Sequence, residues 1–206
     1  MKRSIFTWVV VIVAIGAFAL SGCENSAQTD GMQINQVDAE WMPSAESVEE
    51  LPLVSDLIIV FEPTSQENAL SHFSDGLVEN GYTKTSGIAQ RVLKGTVEEG
   101  STVQITEVCY TTNSGSELWT IGGYLPMEIG QKYLLFLTAY DAESPYSGMY
   151  YPINMEYGKY ALPSNSNWLT SLFKDKNELW EIGNATNLDQ YADWYAYVQD
   201  LYPDLF

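Results

Sequence analysis

Chemistry in this chain would have to begin from very few reactive side chains. There is one histidine, His72, in Leu70-Ser71-His72-Phe73-Ser74, and there are two cysteines, Cys23 and Cys109. A Ser-His-Asp triad could draw on His72, but no Gly-x-Ser-x-Gly elbow presents a serine to it. Its surroundings read instead as a surface position on a short helix or loop. Cys109 sits in the strand-like run Val103-Gln104-Ile105-Thr106-Glu107-Val108-Cys109-Tyr110, with no His or basic residue nearby in sequence to lower its pKa. A cysteine buried in such a strand behaves as a small hydrophobe.

The metal and phosphate chemistries fare no better. Zinc needs three or four Cys, His or carboxylate ligands, which one histidine and one spare cysteine do not supply. Asp141-Ala142-Glu143-Ser144 offers two carboxylates to calcium but lacks the glycine and terminal glutamate of an EF-hand loop, and Asp175 with Asn177 offers no more. No metal and no cofactor is therefore expected. Thr120-Ile121-Gly122-Gly123-Tyr124 lacks the lysine of a phosphate-binding loop. With 27 acidic residues, a pair of glycosidase carboxylates could form; it would need a cleft that holds them about 5–10 Å apart. Aromatic chemistry is better supplied. Tyr146, Tyr150, Tyr151 and Tyr157, with Tyr160, fall beside Ser147, Gly148, Asn154 and Gly158, a mixture that can stack on sugars or hold a peptide. The four tyrosines from 146 to 157 are a candidate ligand face; in the competing reading, alternate rings are core.

The other cysteine belongs to a different context. Met1-Lys2-Arg3 is a positive cluster, and no charged side chain occurs from Ser4 to Gly22, a stretch rich in Val, Ile, Ala and Phe. A basic start, an apolar stretch and small residues at the end are the parts of a secretory signal. Leu20-Ser21-Gly22-Cys23 resembles the lipobox of bacterial lipoproteins. The resemblance implies recognition of Leu20, Ser21 and Gly22 by a signal peptidase, diacylglyceryl transfer to the Cys23 thiol and cleavage before it. An uncleaved membrane helix is the competing reading, because the apolar run is close to the roughly 18–20 residues that span a bilayer. Two acyl chains make a stable anchor where one is marginal. The expected place is therefore the extracytoplasmic face of the cell membrane, held by lipid on Cys23.

Cleavage there would remove Lys2 and Arg3 and no acid, leaving 7 basic against 27 acidic side chains, a formal −20 in place of −18. So acidic a domain is repelled by nucleic acid and by anionic headgroups, which excludes nucleic acid as a partner. Once Cys23 carries lipid, Cys109 is alone, and no intrachain disulfide is expected.

Positioning elements follow from the pattern. Residues 23–50 are rich in Glu, Asp, Ser, Gln and Asn and read as a lipidated N-terminus and flexible tether, with Trp41 and Met42 as apolar exceptions. From Leu51 short β-like runs alternate with turn residues: Leu53 to Phe61 stopped by Pro63, Tyr82 to Leu93, Thr102 to Tyr110, Leu118 to Ile121, and Lys132 to Tyr140. Met149 to Ile153 and Lys159 to Leu162 form a hairpin candidate, as do Trp168 to Phe173 and Glu178 to Ile182 around Asp175-Lys176-Asn177. Such spacing predicts a barrel or sandwich. From Leu188 the apolar positions Leu188, Tyr191, Ala192, Tyr195, Val198, Leu201 and Tyr202 have helical spacing, with Asn187 as N-cap and Trp194 off the stripe. The expected layout is a signal peptide over 1–22, a tether over 23–50, a β domain over 51–184 and a C-terminal helix packed on it over 185–206.

Three segments carry a further resemblance. Ser55-Asp56-Leu57-Ile58-Ile59-Val60, Val92-Leu93-Lys94-Gly95 and Gly130-Gln131-Lys132-Tyr133-Leu134-Leu135-Phe136-Leu137 succeed one another in an order similar to oligonucleotide/oligosaccharide-binding (OB) type domains. Netrin-like domains and tissue inhibitors of metalloproteinases share it, as do lipoproteins of Gram-positive bacteria. The resemblance covers about half the chain and implies a mainly β fold, a small OB-like antiparallel barrel. The metalloproteinase inhibitors act through a free N-terminal cysteine amine and bear several disulfides; here the mature N-terminus is a lipidated cysteine far upstream, so that mechanism does not carry over. Such barrels host many activities. The function expected is a non-catalytic, membrane-anchored binding module for an envelope protein or wall glycan. A carboxylate-dependent extracellular hydrolase and a purely structural or assembly role remain open as alternatives.

Overall fold

In the computed structural model, residues 28–29, 32–37, 44–121, 124–163 and 185–206 are described. The signal segment with Leu20, Ser21, Gly22 and Cys23, the pair Trp41 and Met42, and the expected hairpin around Asp175 and Asn177 all lie outside them.

The described chain is mainly β, and its central feature is a strand buried on both faces. β3 (Leu57–His72) opens with five consecutive buried residues. An unbroken apolar run is what a strand needs when both sides are covered. Leu57, Ile59 and Phe61 join Val103, Ile105, Leu135 and Leu137 in one core, while Ile58 and Val60 join Leu134, Phe136 and Tyr160 in another. β8 (Tyr133–Ala139) divides its side chains the same way, as a period of two requires.

β3 does not stop at Pro63. It continues antiparallel to β4 (Val78–Lys94) as far as His72, which is exposed at the strand's end rather than on a helix or loop. The register shifts between Pro63 and Ser65. A bulge is a place where a residue without an N–H is tolerated. Pro63 still accepts at its carbonyl from the Gly130 N–H at 2.9 Å. Opposite it, Gly87 leaves room that no other residue would: a Cβ there would lie 2.4 Å from the Glu62 carbonyl oxygen.

β4 pairs next with β5 (Thr102–Glu107), β5 pairs in parallel with β9 (Tyr150–Pro152), β9 returns to β8, and β8 pairs with β3. Five strands thus close a ring in the order β3, β4, β5, β9, β8. β10 (Lys159–Ala161) pairs with β8 beyond β9. The expected hairpin of β9 with β10 does not form; both take the same neighbour at different heights, joined by the short turn Met155–Gly158. A second sheet has the order β1 (Gln28–Thr29), β2 (Met32–Val37), β7 (Glu117–Ile121), β6 (Cys109–Thr112).

β2 and the segment after it differ from the expected tether. Met32–Val37 lies parallel to β7 over five residue pairs, Gln33 opposite Glu117 through Val37 opposite Ile121. Ile34 is buried, and one apolar residue facing a core together with a free sheet edge is enough to fix a short strand. Residues 44–54 then form a docked strap, including α1 (Leu51–Val54), with Ala45, Val48 and Leu51 buried. The Asn154 side chain holds the strap: its Oδ1 accepts from the Ser44 and Ala45 N–H groups at 2.7 and 3.3 Å, and its Nδ2 donates to the Ala45 carbonyl at 2.6 Å.

The C-terminal helix α2 (Ala185–Leu201) packs on the sheet as expected, but it starts earlier, so Asn187 is a helical residue and not the cap. Trp194, expected off the stripe, is buried along with Tyr195 and Val198, whereas Leu201 is exposed. The strap accounts for the rotation, since Ala45 and Val48 share one buried core with Trp194, Tyr195 and Val198. Among the described residues no helix is long and apolar enough to cross a membrane.

Candidate functional site

Two features could carry function: a patch of half-buried tyrosines, and a polar network sealed at one end of the ring.

The patch assembles from β4, β8, β9 and the turn between the last two. Tyr82 on β4 meets Tyr146 edge-on, centroids 5.1 Å apart at 88°. Tyr140, just beyond β8, contacts Tyr146 at 5.0 Å and Tyr151 at 4.8 Å. The turn is built from tight local bonds: Ser144 N–H to the Asp141 carbonyl, Ser147 N–H to the Ser144 carbonyl and Met149 N–H to the Tyr146 carbonyl, at 2.9–3.0 Å. Gly148 completes it with φ +86, a conformation that favours glycine. The Tyr140 hydroxyl is 2.8 Å from Thr106 Oγ1, which fixes the ring's tilt. Partial burial pushes the Tyr140 and Tyr82 phenols up, Tyr82 further through Tyr146 and Glu67. Both hydroxyls therefore keep their protons at neutral pH and can donate.

The structure divides the expected ligand face. Tyr146 and Tyr151 are together. Tyr150, one residue from Tyr151 on β9, turns the opposite way and packs on the core of Leu57, Ile105 and Leu137. Tyr157 lies on the helix side, 4.9 Å from Trp194 and 6.2 Å from Tyr191, and Tyr160 is fully buried there. Alternation along a strand separates neighbours to opposite faces, and that signal was present in the consecutive tyrosines. Tyr82 and Tyr140 carried no cue, because strands distant in sequence bring them in.

The second feature centres on Glu107, buried completely. Its Oε1 accepts from the Thr85 hydroxyl and from Gln66 Nε2 at 3.2 Å. Its Oε2 accepts from the Tyr124 hydroxyl and the Met127 N–H, both at 2.8 Å. A buried carboxylate needs such donors to offset lost hydration, and here both oxygens are occupied by the protein itself. Lys159 Nζ stands over the Tyr124 ring, 3.8 Å from its centroid, and donates to the Leu125 carbonyl. The sequence did hold a cue: Val103, Ile105 and Glu107 alternate, so Glu107 shares the inward face. Cys109 is buried next to this network, without a disulfide. Burial and then the Glu107 charge push its thiol up, away from reactivity.

The chain matches no family model, no curated protein and no solved structure. Glu156, in the turn Met155–Gly158, is buried too, and desolvation raises its carboxyl to about 7 despite its own backbone N–H and Lys159, which act to lower it. It follows Asn154 and Met155, both in the left-handed region at φ 50 and φ 56. His72 has no part in either feature. Among the described residues no group of three or more His, Cys, Asp or Glu could hold a metal ion.

Proposed function

We propose that this chain is a lipid-anchored extracytoplasmic lipoprotein whose β domain binds an envelope protein or a wall-derived glycan without catalysing a reaction. Leu20-Ser21-Gly22-Cys23 after a basic start and an apolar stretch supports the anchor. The closed order of five strands supports an OB-like barrel, a fold with that number of strands. The observation that carries the binding reading is the patch of Tyr82, Tyr146, Tyr140 and Tyr151, four rings each in contact with the next that all remain partly exposed. Rigid amphipathic rings offer contact area at low entropic cost, and their hydroxyls add hydrogen bonds. Glu107 speaks against a hydrolase built on it, because its acceptor positions already serve Thr85, Gln66, Tyr124 and Met127.

Two experiments test the two halves. In cells fed a fatty-acid analogue, the wild-type protein should take up label and the Cys23→Ala variant should not; equal labelling ends the lipoprotein reading. For binding, the lipid-free domain is mixed with purified wall glycan fragments and with envelope extract. The double variant Tyr146→Ala/Tyr151→Ala should lose capture while keeping its melting temperature within a few degrees. Undiminished capture would remove the patch from the mechanism.

A further inference from the structure

We infer that the edge of β7 is a strand-docking site, and that its occupant, the chain's own Met32–Val37, is a releasable latch that sets how far the domain stands from its membrane anchor. The stand-off part of this rests on the lipoprotein reading; the latch itself does not.

The attachment of β2 is one-sided. Its backbone pairs with β7 in parallel, but of its described side chains only Ile34 is buried, while Gln33, Gln36 and Val37 are exposed. Gln33 Nε2 donates to Asn35 Oδ1 at 3.0 Å, a side-chain bond that stays within the strand. The strap that follows is held differently, by three buried apolar residues and by the three hydrogen bonds of Asn154. Opening free energies follow buried contacts, so β2 should leave first and the strap should stay. Ile34 enters the small core of Cys109, Leu118, Tyr124 and Met155. Its departure opens that core from the β7 side and frees a row of backbone groups that another extended strand can pair with.

The position of this strand between anchor and strap gives it a consequence. With β2 docked and β1 paired to it, the covalent path from Cys23 to the sheet ends at Gln28 and can span at most roughly 17 Å. With β2 released it ends at Ser44 and can span roughly 70 Å. A domain meeting ligands in the wall would gain reach by releasing one strand.

The test uses the full chain in a Cys23→Ser background, so that Cys109 is the sole thiol and no lipid is involved. Ile34→Asp should raise the rate of native thiol labelling about tenfold or more, as local opening becomes easier, and Ile34→Val should change it little. A labelled peptide of the sequence Gly31 to Ala39 should bind Ile34→Asp saturably and the wild type weakly, because the wild-type edge is filled. In wild type, amide exchange of Met32–Val37 should be faster than that of Leu57–Phe61. Thiol labelling of Ile34→Asp at the wild-type rate, equal peptide binding to both proteins, or equal amide protection of the two strands would each overturn the latch. Should Ile34→Asp fail to fold, the exchange comparison still decides. If fatty-acid labelling of the Cys23 protein fails while these readouts hold, the anchor reading falls and the docking site remains.

Discussion

Two buried glutamates show how the same side chain takes opposite roles according to its donors. Glu107 accepts four hydrogen bonds, two on each oxygen. In Glu107→Gln, either orientation of the new amide sets an N–H against the N–H of Gln66 or of Met127. The cost of such unmet buried groups should be about 3 kcal/mol, read as an earlier urea midpoint at unchanged slope. Glu156 is the reverse case, a carboxyl whose burial outweighs its partners and whose pKa rises from 4.5 to about 7. Below 4.5 both folded and unfolded states are protonated there and nothing is lost. Between 4.5 and 7 the unfolded chain sheds a proton that the folded chain retains, so this group's contribution falls as pH rises, and it levels off above 7. The full penalty is roughly 3 kcal/mol. Glu156→Gln should therefore match the wild type near pH 4.5 and exceed it in stability near pH 8. Parallel melting curves for the two proteins across that window would contradict the assignment.

Strands were legible where period and composition agreed, and misread where a neighbour decided. The apolar runs of β3 and β8 announced strands, and both are found, each buried on both faces. Pro63 announced an end that does not occur, because the partner strand supplies a glycine at the crossing and a register shift absorbs the missing donor. The polar composition of residues 23–50 announced a tether. A free edge on β7 and an asparagine far along the chain, neither visible locally, turned parts of it into strand and strap. Of the site, Tyr146 and Tyr151 could be named from sequence, but their partners Tyr82 and Tyr140 depend on the pairing of distant strands. The crossing itself yields a prediction. Gly87→Ala pushes a methyl against the Glu62 carbonyl, which is backbone and cannot swing aside, and against Phe61. Gly81→Ala has side-chain atoms of Leu70 and Tyr110 as its nearest neighbours, and side chains can shift where backbone cannot. Overpacking of the first kind should cost about 3 kcal/mol and of the second about 1. Equal melting temperatures for the two variants would show that the bulge at Pro63 relaxes more readily than this geometry allows.

Across the whole molecule, the helix-side core is assembled from parts far apart in the chain: the strap, one side of β3 and β8, Ile153 with Tyr160 and Leu162, and α2 with the residues after it. Trp194 shares that core with Ala45 and Val48 of the strap, and its ring lies 4.9 Å from that of Tyr157. Tyr191 and Tyr195 tie the helix to the sheet through hydroxyls that donate to the Lys159 and Ala161 carbonyls at 2.8 and 3.1 Å. A helix of this length is marginal alone, and the strap has only short turns of its own, so each depends on the other's surface. Trp194→Ala should then act on both. The loss should be about 4 kcal/mol for a buried tryptophan replaced by alanine. Its distinctive sign lies elsewhere: the Glu50 and Ser55 N–H groups, bonded to the Ser47 and Leu51 carbonyls at 3.2 and 3.1 Å, should exchange faster, although neither residue is near Trp194 in sequence. Deleting residues 187–206 should do the same more severely and lower the melting temperature. If the truncated protein melted like the wild type, with the strap amides still protected, the helix would be an appendage and its tyrosine-rich face would be free to recognise a partner.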